Sequence, residues 1–240
     1  MKHNTFGKGV LDGLPIGIGY LSVSFAFGIF AMAHGLAIPE VLLISMTNVT
    51  SAGQLAAVPI IAGGGLLSEL VVSQIIINLR YALMSVSLSQ KLGPSIRLFD
   101  RFLIGFVNTD EVFAVASSQK GLVGRSYMYG LILTPYLGWS LGTLLGAVAG
   151  NVLPEVVTAA LGLAIYGMFI AIVMPGVKSH RATAVCVGLS AALSVAFYYL
   201  PLLKEIPGGF VIIICAVTAA LICAALAPID VVEEGGADHA

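Results

Sequence analysis

The stretch FLIGFVNTDEVFAVASS, residues 102–118, decides how this chain must be read. It is apolar at both ends and carries Asn108, Thr109, Asp110 and Glu111 at its centre. As one helix it would reach only about 25 Å at 1.5 Å per residue, short of a hydrocarbon core of about 30 Å. Each charge at mid-span would cost roughly 2.5–3.5 kcal/mol even on the mildest scale. A plain spanning helix therefore fits poorly. A broken or re-entrant helix fits better, and such backbone survives at membrane depth only against protein or a wet cavity. The run at 41–63 has the same character, with Asn48, Thr50, Ser51, Gly53 and Gln54 in its middle and Pro59 beyond.

The whole chain supports a membrane reading. Of 240 residues, 58% are hydrophobic, 28 are glycine and only 10% are charged, with a mean hydropathy of +1.02. Soluble domains carry about 25% charged residues. That composition excludes a disordered chain, a coiled coil and a nucleic-acid binder, all of which need polar or charged surface. Apolar runs fall at about 13–34, 41–63, 66–89, 102–118, 127–149, 156–174, 183–200 and 208–226. They are too long and continuous for the alternating strands of a transmembrane barrel. The expected fold is an all-α polytopic transmembrane bundle of six to eight hydrophobic segments, two of them broken or re-entrant. One domain is expected over 1–229, with an acidic, flexible tail at 230–240. No cleavable signal peptide is read at the N-terminus. Cys186, Cys215 and Cys223 lie in apolar runs and read as inert buried thiols.

Loop charge suggests the topology. Lys2, Lys8, Lys91, Arg97, Arg101, Lys120, Arg125, Lys178 and Arg181 cluster between runs, whereas the loops near Glu40 and Glu155 hold no Lys or Arg. If every basic loop is cytoplasmic, then 41–63 and 102–118 each leave on the side they entered, giving six crossings, two re-entrant segments and both termini inside. A faint repeat supports internal symmetry, inverted or parallel. Pro15 opens a Gly-rich span ending in Ile38-Pro39-Glu40, and Pro135 opens another ending in Leu153-Pro154-Glu155.

Several residues could carry chemistry. Asp110 and Glu111 read as a binding site or proton relay, or else as solvated acids of an interfacial loop. Neighbouring helical positions point about 100° apart, so the two acids are expected to do different jobs. Arg80, inside 66–89, needs an anion, and Asp110 or Glu111 is the natural partner. Its other role would be to grip a substrate carboxylate with its fork of donors. Gln74, Asn78, Tyr81, Ser85 and Ser89 form one helical stripe, and Ser73, Arg80 and Ser87 another. Two polar stripes are expected to place this span inside the bundle. Gly53 can break a helix, and the half-helix end beside Gln54 could bind a carboxylate. The rows Gly9, Gly13, Gly17 and Gly138, Gly142, Gly146, Gly150 read as close-packing seams. His34 reads as a satisfied or interfacial histidine, and Asp12 as interfacial. No phosphate loop, HExxH, GxSxG or metal-spaced His/Cys cluster occurs, so no enzyme, metal or cofactor is expected.

The order Gly13-Leu14-Pro15 with Gly17, Ser51-Ala52-Gly53-Gln54, Asn78-Leu79-Arg80-Tyr81 and Thr109-Asp110-Glu111 resembles the AzlC family over about residues 6–226. The family's N-x-R arginine is commonly followed by His or Tyr, and Tyr81 fits. The resemblance implies the large subunit of an exporter of valine, leucine, isoleucine and often methionine in the bacterial inner membrane. It implies secondary transport coupled to the proton gradient, and a small AzlD-type membrane partner. In that reading Gly53, Gln54, Asn78, Arg80, Tyr81, Asp110 and Glu111 surround the substrate, and Asp110 or Glu111 carries the proton. A non-transporting scaffold subunit or a passive channel for small neutral solutes would be the alternatives.

Overall fold

The computed structural model describes residues 4–200, 203 and 205–226; the acidic tail at 230–240 lies outside them. The elements among the described residues are helices: α1 (Phe6–Ala33), α2 (Ile38–Thr47), α3 (Ser51–Ala62), α4 (Leu67–Lys91), α5 (Leu98–Phe106), α6 (Asp110–Ser118), α7 (Arg125–Val152), α8 (Glu155–Ser179), α9 (Arg181–Tyr199) and α10 (Gly208–Leu226). The fold is thus an all-α membrane bundle. Among the described residues, five helices, α1, α4, α7, α9 and α10, are long and apolar enough to cross a bilayer. The chain forms two compact units, 1–170 and 171–240. In the second, α9 packs on α10.

The first unit is built on a seam between α1 and α7. Gly9 lies against Tyr127 and Leu131, Gly17 against Thr134, and Gly28 against Thr143 and Ala147. Residue numbers in these pairs rise together along both helices, so the two run parallel. Gly138 meets Gly17, Gly142 meets Leu21 and Ser24, Gly146 meets Phe25, and Gly150 meets Ile29 and Met32. Each glycine row therefore faces the other helix of the same chain, and the two rows meet at Gly17 and Gly138. A Cβ on Gly146 would fall 2.0 Å from the Phe25 carbonyl oxygen, which only a shift of backbone could relieve.

Both suspect runs are re-entrant hairpins. The first, α2–α3, leaves the C-terminal end of α1. Val41 on α2 and Val58 on α3 share one apolar cluster with Phe27, Phe30, Ala31 and Leu36. Between them, Val49 packs with Tyr20 and Trp139, near the middle of α1 and α7. The chain thus dips to mid-depth and returns to the side it entered. The second hairpin, α5–α6, does the same from the opposite side. Ile104 and Ala116 share a cluster with Tyr127, Met128 and Leu131, near the N-terminal end of α7. Its two ends are tied together where the Val123 amide donates to the Lys91 carbonyl at 3.0 Å and the Gly93 amide to the Val123 carbonyl at 2.8 Å. Lys8, Lys91, Arg97, Arg101, Lys120 and Arg125 all belong to this side. Through α7 the topology is three crossings and two hairpins, as the loop charges suggest.

Buried polar anchors fix the base of the second hairpin. The Asp100 carboxylate accepts from the Tyr129 hydroxyl at 2.5 Å, the Arg97 amide at 2.8 Å and Arg125 Nε at 3.0 Å. The Tyr129 hydroxyl first, then the Arg97 amide, holds this carboxyl below the usual aspartate range. Asp12 ties the other arm: it accepts from Lys8, from the Tyr127 hydroxyl at 2.8 Å and from Gln119 at 3.5 Å. On the opposite side, Ser45 and Thr143 share a hydrogen bond of 2.6 Å that pins α2 to α7. His34 is satisfied at the end of α1, its Nδ1 lying 2.8 Å from the Phe30 carbonyl.

The interior placement expected for α4 is corrected. Only 6% of its most apolar window is buried by the chain. The stripe Gln74, Asn78, Tyr81 and Ser85 faces the two hairpin tips, while Ile75, Leu79, Leu83 and Val86 are exposed as an aliphatic row. One polar face and one aliphatic face make a helix that sits at the bundle's edge and offers the latter to lipid.

Two outcomes follow for purified protein in detergent. Gly146→Ala should lower thermal stability by about 1–3 kcal/mol or more through overpacking. Gly19→Ala, on the facing seam helix α1 but with open space at its Cβ, should be neutral or stabilising by up to about 1 kcal/mol. Equal effects would contradict the seam. Asp100→Asn should lower the melting temperature at neutral pH. Because the folded-state pKa is depressed, the carboxylate's contribution is present above about pH 4 and lost as pH falls below it. The wild-type advantage should therefore vanish in acid.

Candidate functional site

Each hairpin turns on three residues and then restarts a helix. At the first tip, Thr50 caps α3, its hydroxyl accepting from the Gly53 amide at 3.4 Å. At the second, Thr109 caps α6, accepting from the Val112 amide at 3.5 Å. Threonine suits this place because its oxygen satisfies an amide that the helix leaves unpaired. The two tips meet around a cavity of about 120 Å³. Thr47, Asn48, Val49 and Thr50 line it from the first tip, Gly105, Phe106, Asn108 and Thr109 from the second, and Asn78 and Tyr81 from α4.

Four helix ends converge there. The C-terminal ends of α2 and α5 bring partial negative charge, although their Ile44, Met46, Ile104 and Gly105 carbonyls already accept hydrogen bonds. The N-terminal ends of α3 and α6 present amides and partial positive charge. Side chains of α4 hold both tips. Gln74 Nε2 donates to the Gly53 carbonyl at 2.9 Å, and Gln74 Oε1 accepts from Asn48 at 3.1 Å and Asn78 at 3.2 Å. Asn108 donates to Ser85 at 3.3 Å. These bonds use the amide nitrogens of Asn78 and Asn108. Their Oδ1 atoms are buried without a hydrogen-bond partner. Unpaired buried acceptors cost about 1–3 kcal/mol each, which a cationic donor in the cavity would relieve.

The charged residues stand beside this cavity. Arg80 Nη1 lies 2.6 Å from Asp110 Oδ2, and its guanidinium also donates to the Tyr81 hydroxyl at 3.0 Å and sits 4.8 Å from that ring's centre. Glu111 instead accepts a short hydrogen bond from Tyr20, whose ring meets Trp139 edge-on at 5.0 Å. The adjacent acids thus reach different partners. Arg80 and Asp110 have side-chain exposures of 53% and 46%. Charges open at this depth require water beside them.

Of the seven residues singled out in the sequence, Asn78 and Tyr81 line the cavity, and Arg80, Asp110 and Glu111 form the charged group next to it. Gly53 lies behind the wall, where a Cβ would come 2.6 Å from Gln74 Oε1. Its smallness lets Gln74 reach the first tip. Gln54 is fully buried in α3 away from the lining, with neither amide atom partnered. Sequence reasoning missed Tyr20, Phe106 and the placement of Asn108's oxygen. Tyr20 and Phe106 are aromatic residues in apolar runs, and nothing in their neighbours marks them.

Comparison with known proteins agrees with this architecture. The AzlC protein family matches residues 15–153, a stretch holding both hairpins, α4 and every lining residue of the cavity. An uncharacterized membrane protein of Archaeoglobus fulgidus is 32% identical over 203 residues, covering 84% of this chain and 88% of that protein. The inner membrane protein YgaZ of Escherichia coli is 29% identical over 226 residues, covering 91% and 90%. No solved structure matches. A bundle with two opposed re-entrant hairpins, matched over more than half its length by one family, is a membrane protein that belongs to the AzlC family.

Proposed function

We propose that this chain is the large subunit of a two-component secondary transporter that exports branched-chain amino acids across the bacterial inner membrane. The observation that carries the reading is the meeting of four half-helix ends at one small cavity. An amino acid is a zwitterion, and this cavity offers opposite partial charges a few ångströms apart. The carboxylate suits the amides that open α3 and α6. The ammonium suits the carbonyl ends of α2 and α5 and the two unpartnered oxygens of Asn78 and Asn108. At about 120 Å³ the cavity is smaller than the roughly 300 Å³ at which small-molecule pockets begin. It therefore holds the charged end of a substrate.

Arg80 is engaged by Asp110 and Tyr81, so it braces α4 against α6, and the half-helix amides are left to take the carboxylate. Asp110 is neutralised by that pair. Glu111 has a tyrosine hydroxyl in place of a cation, and in this reading it carries the counter-moving proton. The small partner is an AzlD-type membrane subunit. A scaffold role would need the glycine rows free to seat a partner, and they are occupied between α1 and α7.

Radiolabelled leucine counterflow in proteoliposomes, with both subunits co-purified, tests the reading. Wild type should show saturable counterflow. Asn108→Ala should weaken apparent affinity about 10- to 100-fold, the loss of a hydrogen bond to a charged group. Flux without saturation would indicate a channel, and no flux with an intact complex would indicate a scaffold. Glu111→Gln should keep counterflow but abolish accumulation driven by a pH gradient. Retained accumulation would remove Glu111 from the proton path.

A further inference from the structure

We propose that a second, apolar cavity beside the hairpin tips is the subsite for the substrate's aliphatic side chain, and that Phe106 and Tyr136 form the wall that sets its specificity. The proposal rests on the reading that the polar cavity binds an amino acid's charged end. The apolar cavity measures about 320 Å³ and lies between α5 and α7, with Leu103, Val107, Ile132 and Leu133 in its lining. Phe106 lines both cavities. Tyr136 stands across from it, ring centres 6.3 Å apart and planes tilted by 55°. The Tyr136 hydroxyl donates to the Met46 carbonyl at 3.3 Å, one residue before Thr47 of the polar cavity. The same aromatic pair thus touches both tips and both cavities.

Size and chemistry name the occupant. At about 120 Å³, the polar cavity is well under the roughly 300 Å³ at which small-molecule pockets begin. A branched side chain attached to a head group held there must extend elsewhere. The neighbouring space is aliphatic and aromatic. Its two hydroxyls are already committed, Tyr129 to Asp100 and Tyr136 to Met46. No free polar group is left in this lining to favour a hydroxyl or amide side chain. Burial there should improve affinity about fourfold per methylene, so the site grades substrates by apolar size.

The test compares alanine, valine, leucine and phenylalanine as competitors of counterflow, with the two-subunit complex in proteoliposomes. Leu133→Trp fills the cavity. The apparent affinity for leucine should fall at least tenfold more than that for alanine, and surviving alanine flux reports a folded carrier. Leu133→Phe should give a smaller step in the same direction. Phe106→Ala removes the wall and should improve competition by phenylalanine relative to leucine. If both Leu133 variants leave the size profile of the wild type, the cavity takes a lipid acyl chain and the proposal is overturned. Equal losses for alanine and leucine in both variants would overturn it as well. Absence of flux for every amino acid in wild type would overturn the transport reading, and the subsite with it.

Discussion

Hydrocarbon offers no hydrogen bonds, so a helix that stops at mid-depth must have its backbone ends met by protein, water or ligand. This chain stops four helices there. The interruptions at Asn48–Thr50 and Val107–Thr109 are what the rest of the first unit accommodates. Threonine caps meet some of the amides. The polar stripe of α4 meets the side chains of both tips through Gln74 and Ser85. The glycine seam brings α1 and α7 into backbone contact, and Tyr20 and Trp139, one from each, pack against the first tip through Val49. Of the buried polar atoms left unmet, the oxygens of Asn78 and Asn108 belong to residues that line the cavity, whereas the Gln54 amide, the Thr134 hydroxyl and the Trp139 nitrogen belong to residues outside its lining.

The contacts differ in kind between the seam and the hairpins. The α1–α7 seam is held largely by backbone against backbone. The second hairpin is anchored at its base by Asp100 and Asp12, whereas the first is pinned to α7 close to its tip by Ser45 with Thr143. Their tips touch α4 by a handful of amide and hydroxyl bonds and by the Arg80–Asp110 pair.

Much of this was legible in the sequence. Polar residues in the middle of short apolar runs marked both breaks, and the sign of the flanking loops indicated that each run returns to its own side. The spacing of the glycines announced a seam, and a lone arginine in an apolar span pointed to Asp110 or Glu111. What was not legible depends on rotation and tilt. Gln54 and Asn108 look equally eligible as lining residues, yet only Asn108 faces the cavity. The two polar stripes of α4 suggested burial all round, because spacing shows which residues share a face and not what covers it. The parallel pairing of α1 with α7 needs contacts far apart in the chain, and two short matching motifs could not separate it from an inverted one.

The central claim is that the two tips read both charges of a zwitterion at once. Equilibrium binding to the purified two-subunit complex of leucine, leucinamide and 4-methylpentanoate addresses it directly. Leucinamide keeps the amine and loses the carboxylate, and 4-methylpentanoate keeps the carboxylate and loses the amine. Saturable binding of leucine, weakened at least a hundredfold for both analogues, is the result the four converging helix ends require. Equal binding of either analogue would mean that one pair of ends is idle and would contradict the account.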